Sequence, residues 1–188
     1  MTPYPGTVNR LLRIRNPAGT PVLACRRVRT RYGRFLLQAT PKGLYALKFP
    51  ARARTIPCRQ SPESVPGKSV QRLLEKAESL LARYFKGENV SFGNLRIDYS
   101  GLSAYSRKVL MALSRIPQAH TVSYGRLAKW AGQERSARAV GQVMARNRMP
   151  IILPCHRVLG SRNRLGGFSV GLKWKKRLLA LEGVRIKD

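Results

Sequence analysis

The sequence predicts an α+β protein, with a small antiparallel sheet and a helix in the first half and a mostly helical second half. Three observations carry this. Runs of strand-forming residues separated by turn chemistry fill residues 21–50. A leucine pattern at helical spacing follows from Ser69. Beyond Ser103, apolar residues recur at helical spacing in short segments broken by glycine and proline. A chain of 188 residues has room for one domain, or two small ones, with a real core. Its apolar share of 43% is that of an ordinary globular protein and argues against global disorder.

Residues 1–20 are rich in Pro, Gly and Arg and read as a loose basic arm. Val22–Val28, Arg34–Ala39 and Gly43–Phe49 are the strand candidates, the last two joined by hairpin turn chemistry at Thr40-Pro41-Lys42-Gly43. Residues 50–68 carry four prolines and read as a loop. Ser69 is a plausible N-cap for a helix with Leu73, Leu74, Leu80, Leu81 and Phe85 on its apolar side, and Gly87 is its stop. Glycines in residues 87–102 suggest a boundary, giving units of about 21–92 and 93–188. Ser103 opens the next helix, which continues to Ile116 before Pro117 ends it. Ser123 caps a short helix through Leu127 to Trp130, and a second runs from about Arg135 to Ala145. The pair fits a helix-turn-helix or a plain helical hairpin equally well. Leu172–Leu181 is the terminal helix, stopped at Gly183.

Charge narrows the class of partner. Lys and Arg number 37 against 8 acids, a net charge of +29, and the first acid is Glu63. Such a field favours a polyanion, and nucleic acid is the first candidate. No apolar run approaches the roughly 18 residues of a membrane span. Three cysteines, an odd count with no secretory leader pattern, suggest a reduced intracellular protein. No Cys-x-x-Cys pair exists, and His120 and His156 lie far from the other two cysteines in sequence, so no metal is expected.

Chemistry concentrates at Pro154-Cys155-His156-Arg157-Val158, behind the apolar run Ile151-Ile152-Leu153. Pro150 and Pro154 predict a stiff, extended lead-in that delivers one cysteine at a fixed place. A thiol beside an imidazole is the minimum kit for a nucleophilic cysteine, because the thiolate attacks and the thiol does not. Upstream, Ala137, Gly141 and Ala145 put small residues at i, i+4 and i+8, with Arg138 beside them. Such a stripe lets a helix approach another helix, or a groove of DNA, closely. Between Ser103 and Lys187 the only acids are Glu134 and Glu182. Glu134 falls in a predicted turn and reads as solvated. Glu182 ends an apolar helix, where the dipole does not favour a carboxylate, so it reads as functional.

Ser136-Ala137-Arg138-Ala139-Val140-Gly141, Asn147, the run Pro150 to Val158, Gly171-Leu172 and Leu178 to Gly183 together closely resemble the methylated-DNA–protein-cysteine methyltransferases, also called O6-alkylguanine-DNA alkyltransferases. The resemblance spans roughly residues 100–184. It implies a ribonuclease-H-like amino-terminal sheet and helix and a winged helix-turn-helix-like second domain. It also implies a monomer that acts once, moving an alkyl group from O6 of a flipped guanine in double-stranded DNA to Cys155 without a cofactor. O4-alkylthymine is a further possible substrate, and a lesion binder without transfer is the alternative. The implied setting is the cytoplasm and nucleoid, or the nucleus in a eukaryote.

The same resemblance assigns roles. His156, through a water, deprotonates Cys155, and Glu182 orients His156. Tyr124 donates towards guanine N3 and helps rotate the nucleotide. Ala137 and Gly141 enter the minor groove, and Arg138 fills the space that the base leaves. Asn147 braces the turn before the cysteine. Met144, Val158, Phe168, Ser169 and Val170 line or support the pocket. Phe168 stands where some relatives carry tyrosine, so a side-chain hydroxyl contact from that position is absent, and Val170 stands where many carry glycine, which predicts a narrower pocket for large alkyl groups.

Overall fold

The computed structural model describes residues 24–55, 67–134 and 136–186. Its first half is a three-stranded antiparallel sheet in the order β1 (Ala24–Thr30), β2 (Gly33–Thr40), β3 (Gly43–Lys48). β2 is the central strand and is buried from Phe35 to Thr40, which suits its near-continuous apolar run. Gly43 has φ +147, and a Cβ there would stand 2.6 Å from the Arg96 carbonyl oxygen. Only glycine admits that approach. The approach lets residues 96–98 hydrogen-bond to Leu44 at the open edge of β3. Thr40 donates to Asp98 across the same join at 2.6 Å.

Helix α1 (Pro50–Ala53) is a single turn inside the segment expected to be loop. Pro50 stands at its first position, where a missing N–H costs nothing. The basic arm, Val22, and the prolines at 57, 62 and 66 lie outside the described residues. Helix α2 (Lys68–Phe85) starts two residues earlier than expected, with Gly67 and not Ser69 at the N-cap. It buries Leu74, Leu81, Tyr84 and Phe85 against the sheet, and Gly87 takes the left-handed φ of +93 just beyond its end.

The second half holds α3 (Ala104–Leu113), β4 (Val122–Ser123), α4 (Tyr124–Trp130), α5 (Ala137–Ala145), β5 (Val158–Leu159) and α6 (Leu172–Leu181). Ser103 and Ser123 cap α3 and α4, accepting from the N–H of Ser106 and Arg126. Helix α3 ends at Leu113, short of Ile116, because its last carbonyls tighten into i→i+3 turns. β4 and β5 pair in parallel, Val122 with Val158 and Ser123 with Leu159. That pairing ties the start of α4 to the backbone just after Cys155. One continuous cluster of buried apolar residues runs from Phe35 and Leu44 in the sheet to Val140, Leu153 and Leu178.

The approach to the cysteine differs from the expected extended lead-in. Residues 149–153 form a tight turn closed by the Leu153 N–H on the Met149 carbonyl at 2.8 Å. Ile151 takes φ +77 there, the left-handed region that a β-branched residue avoids. Conformations of this kind cost on the order of 1–3 kcal/mol and persist only where the surroundings over-determine them. Here the surroundings do so: Met149 to Leu153 are all buried, and the Leu47 N–H of β3 holds the Arg148 carbonyl at 2.9 Å.

Candidate active site

Cys155–Arg157 is one turn of 3-10 helix, wholly buried. Asn147 controls the approach to it. The Asn147 amide Nδ2 donates to the Leu153 carbonyl at 2.9 Å and lies 3.0 Å from Cys155 Sγ, and its Oδ1 accepts from the Met149 N–H at 3.0 Å. One side chain thus braces both ends of the turn and presents a donor to the sulfur. Cys155 is a free thiol. Burial pushes it up to about 11, against the Asn147 donor and the nearby Lys175 charge, which pull it down. The thiol is therefore protonated near neutral pH and needs a base. Cys25, in β1, is disulfide-bonded, so the expectation of a wholly reduced chain does not hold there.

His156 is fully buried, and its Nε2 lies 2.8 Å from Glu182 Oε1. Burial would raise the Glu182 carboxyl, but hydrogen bonds from His156 and Arg157 outweigh it and hold the group at about 2. An ionised carboxylate only accepts, so the Nε2 proton points at Glu182 and Nδ1 is left as the acceptor. Among the described residues, Nδ1 has no protein hydrogen-bond partner. Burial also lowers the His156 pKa, opposed by Glu182. The site thus contains a buried thiol beside an imidazole held in its neutral, proton-accepting form.

Three residues at this site carry roles that sequence reasoning did not assign. Arg157 donates to both Glu182 oxygens, with Nη2 2.8 Å from Oε1 and Nε 3.0 Å from Oε2, and its Nη1 reaches the Ile116 carbonyl at 2.6 Å. Tyr84, from α2, donates to Glu182 Oε1 at 2.8 Å. Lys175 is fully buried, and its Nζ donates to the carbonyls of Val158 at 2.6 Å and Gly166 at 3.2 Å. Burial lowers its pKa to about 8. Arg157 lies within the quoted motif, but only its partners disclose its work. Nothing in the local pattern marks Tyr84 or Lys175.

Tyr124, at the start of α4, is half-buried between two glycines. A Cβ at Gly166 would stand 2.7 Å from its hydroxyl, and one at Gly141 would stand 4.0 Å from its ring. Burial and the neighbouring Cys155 both raise its pKa, so the hydroxyl keeps its proton. Met144 and Val158 are buried in the core around the turn, and Phe168 sets its ring 6.4 Å from that of His156. Val170 is partly buried, while Ser169 is exposed. Helix α5 packs through Val140, Val143 and Met144. Ala137, Arg138 and Ala145 are exposed and Gly141 is half-exposed, so the small-residue stripe faces away from the core. Glu134 is exposed beside Lys129 at 3.1 Å.

The sequence model of the 6-O-methylguanine DNA methyltransferase DNA binding domain matches residues 104–184. A methylated-DNA–protein-cysteine methyltransferase of Methanopyrus kandleri is 43% identical over 64% of this chain and 89% of its own. The chain belongs to this family. A methylated-DNA–protein-cysteine methyltransferase of Methanothermobacter thermautotrophicus is 35% identical over 69% of this chain and 70% of its own. The crystal structure of Mycobacterium tuberculosis OGT in complex with DNA aligns with a TM-score of 0.69 at 31% identity, covering 85% of this chain and 92% of that one. As a DNA-repair methyltransferase with a DNA-binding domain, the protein has reason to hold a buried thiol beside a proton acceptor. Among the described residues no helix is long and apolar enough to cross a membrane, and no group of three His, Cys, Asp or Glu could hold a metal ion.

Proposed function

We propose that the protein reverses alkylation damage by one irreversible transfer from O6-alkylguanine in duplex DNA to Cys155. The observation that carries this is the buried Cys155 thiol beside His156, whose Nε2 proton is committed to Glu182 at 2.8 Å. The thiol proton passes to His156 Nδ1 through a water. Sulfur then forms its bond to the alkyl carbon, the bond from carbon to O6 breaks, and the electron pair stays on the base. Tyr124 donates a proton to the purine as it departs, and the proton held by His156 passes through solvent to the Tyr124 phenolate, so that the thiol proton ends on guanine and both side chains are restored. Neutralising the leaving base in this way is what lowers the barrier. The thioether has no leaving group that water can displace, so each molecule acts once.

The guanine reaches Cys155 by flipping, because a thiol buried in the protein cannot meet a base that is still stacked in the duplex. Helix α5 enters the minor groove with its outward stripe, Ala137 and Gly141 allowing close approach and Arg138 occupying the vacated space. Helices α4 and α5 with the short β4–β5 pair are read as the winged helix-turn-helix, and the first half as ribonuclease-H-like, with the boundary near residue 92. The protein acts as a monomer on DNA, in the cytoplasm and nucleoid or the nucleus.

Intact-mass spectrometry after mixing with duplex DNA carrying one O6-methylguanine tests the reading. The expected result is a gain of one methylene per molecule, saturating, on the peptide containing Cys155. Tight binding with no mass change would make this a lesion-recognition protein instead. The same assay with O4-methylthymine defines the second substrate.

A further inference from the structure

Tyr84 lies outside the matched domain, near the end of α2 in the first half of the chain, yet it reaches the centre of the site. It is fully buried, with its ring 5.4 Å from that of Phe85 and 5.9 Å from that of Phe92. A phenylalanine would fill such a space equally well, and a hydroxyl buried among aromatic rings is costly unless bonded. The Tyr84 hydroxyl donates to Glu182 Oε1 at 2.8 Å and stands 3.5 Å from His156 Nε2. Glu182 Oε1 therefore receives Tyr84, His156 and Arg157, while Oε2 receives Arg157 and the Ala119 N–H. Tyr84 and His156 compete for one oxygen.

We infer that Tyr84 is a positioning residue for alkyl transfer: its hydroxyl fixes the Glu182 carboxylate, and through it the tautomer and orientation of His156. The first half of the chain thereby completes the transfer site. The inference rests on the alkyl-transfer reading. The groups facing His156 are Tyr84 from α2, Lys175 from α6 and Glu182 at its C-cap, and Cys155 and Arg157 from its own turn. Removing the Tyr84 hydroxyl takes one donor from Oε1 and leaves more of the carboxylate charge to His156. The imidazolium is then better stabilised, and His156 becomes protonated at higher pH. A protonated His156 cannot accept the thiol proton, so the acid limb of the rate profile moves upward.

The test compares the full-length wild type with Tyr84→Phe in single-turnover alkylation of Cys155 by duplex O6-methylguanine, from about pH 5 to about pH 9. Affinity for the same duplex, melting temperature and the imidazole 15N shifts of His156 are measured alongside. The expected variant binds DNA as the wild type does and transfers more slowly, on the order of tenfold, the scale at which outer partners of functional histidines act. Its acid limb and its His156 titration both move to higher pH. A variant with a lowered melting temperature but an unchanged rate, acid limb and His156 titration overturns the inference and leaves Tyr84 a packing residue. A wild type that fails to alkylate overturns the transfer reading instead, and the two failures are told apart by the wild-type mass alone.

Discussion

Cys155 and His156 carry opposite burdens from the same burial. The apolar surroundings push the thiol up to about 11 and push the imidazole below its ordinary 6.5. Thiolate formed by solvent alone is therefore scarce at neutral pH, and in the proposed mechanism transfer depends on His156 being neutral. Because burial lowers the His156 pKa, the rate should hold its plateau through pH 6.5 and fall only below it; a fall centred at or above 6.5 in single-turnover alkylation would show that His156 is not the base. Glu182 adds a stability effect of defined sign. Its carboxyl titrates near 2 in the folded chain against an ordinary 4.5. Its contribution is thus complete above about 4.5 and is lost as pH falls through about 2, so the melting temperature should decline across that window in wild type. Glu182→Gln should remove most of that slope, and it should cost about 3–5 kcal/mol at neutral pH because Arg157 is left as a buried, uncompensated cation. Val170 bears on specificity. It is partly buried against the apolar cluster that includes Cys155, and Val170→Gly should speed O6-benzyl transfer relative to methyl. An unchanged ratio would remove Val170 from the pocket wall.

The loop ahead of α6 and the first turn of α4 meet where Gly166 lies against Tyr124. The Gly166 backbone lies against Tyr124 so closely that an added Cβ would stand 2.7 Å from the hydroxyl and 2.8 Å from the ring. Gly166→Ala must therefore move the ring or the loop, and the loop is held by the Gly166 carbonyl on buried Lys175. The expected result is slower transfer with DNA affinity near wild type, read from alkylation rate and equilibrium binding in parallel; a wild-type rate would mean that the Tyr124 hydroxyl position is immaterial. The elements themselves were legible wherever their causes are local. Ser103 and Ser123 cap helices because a serine hydroxyl satisfies an N–H three residues on, and the strand pattern of residues 24–48 follows from short apolar runs bounded by turn chemistry. The left-handed turn at Ile151 was not legible. Two prolines favour extension locally, but Asn147, the Leu47–Arg148 hydrogen bond and the burial of residues 149–153 impose the turn from outside. The site divides in the same way. Cys155, His156 and Glu182 stand out by motif and by scarcity of acids, whereas Tyr84 reaches Glu182 from 98 residues away along the chain, a distance no local pattern spans.

The charge belongs to the whole molecule. Net +29 far exceeds what solubility requires of a domain this size, and its distribution is uneven, with no acid before Glu63. Part of the first half is neutralised internally, since Arg26 pairs with Glu75 and Glu78. Other cations stay open. Arg29, Arg31 and Lys86 line a cleft of about 460 Å³ between the end of β1 and the end of α2. Each phosphate that a protein neutralises on duplex DNA adds roughly 0.9 to the slope of log affinity against log salt. Cations at α5 and cations in the first half should therefore contribute separately to that slope. Replacing Arg29, Arg31 and Lys86 together by alanine is expected to flatten it by up to about 2.7, while alkylation of Cys155 by a free O6-alkylguanine base stays at the wild-type rate. Arg138→Ala should behave differently, slowing transfer from duplex DNA by more than its small change in slope explains, because the work proposed for it is to replace a base and not to neutralise a phosphate. An unaltered slope in the triple variant would confine the DNA contact to the second half, and the basic surface of the sheet would then need a different polyanion to account for it.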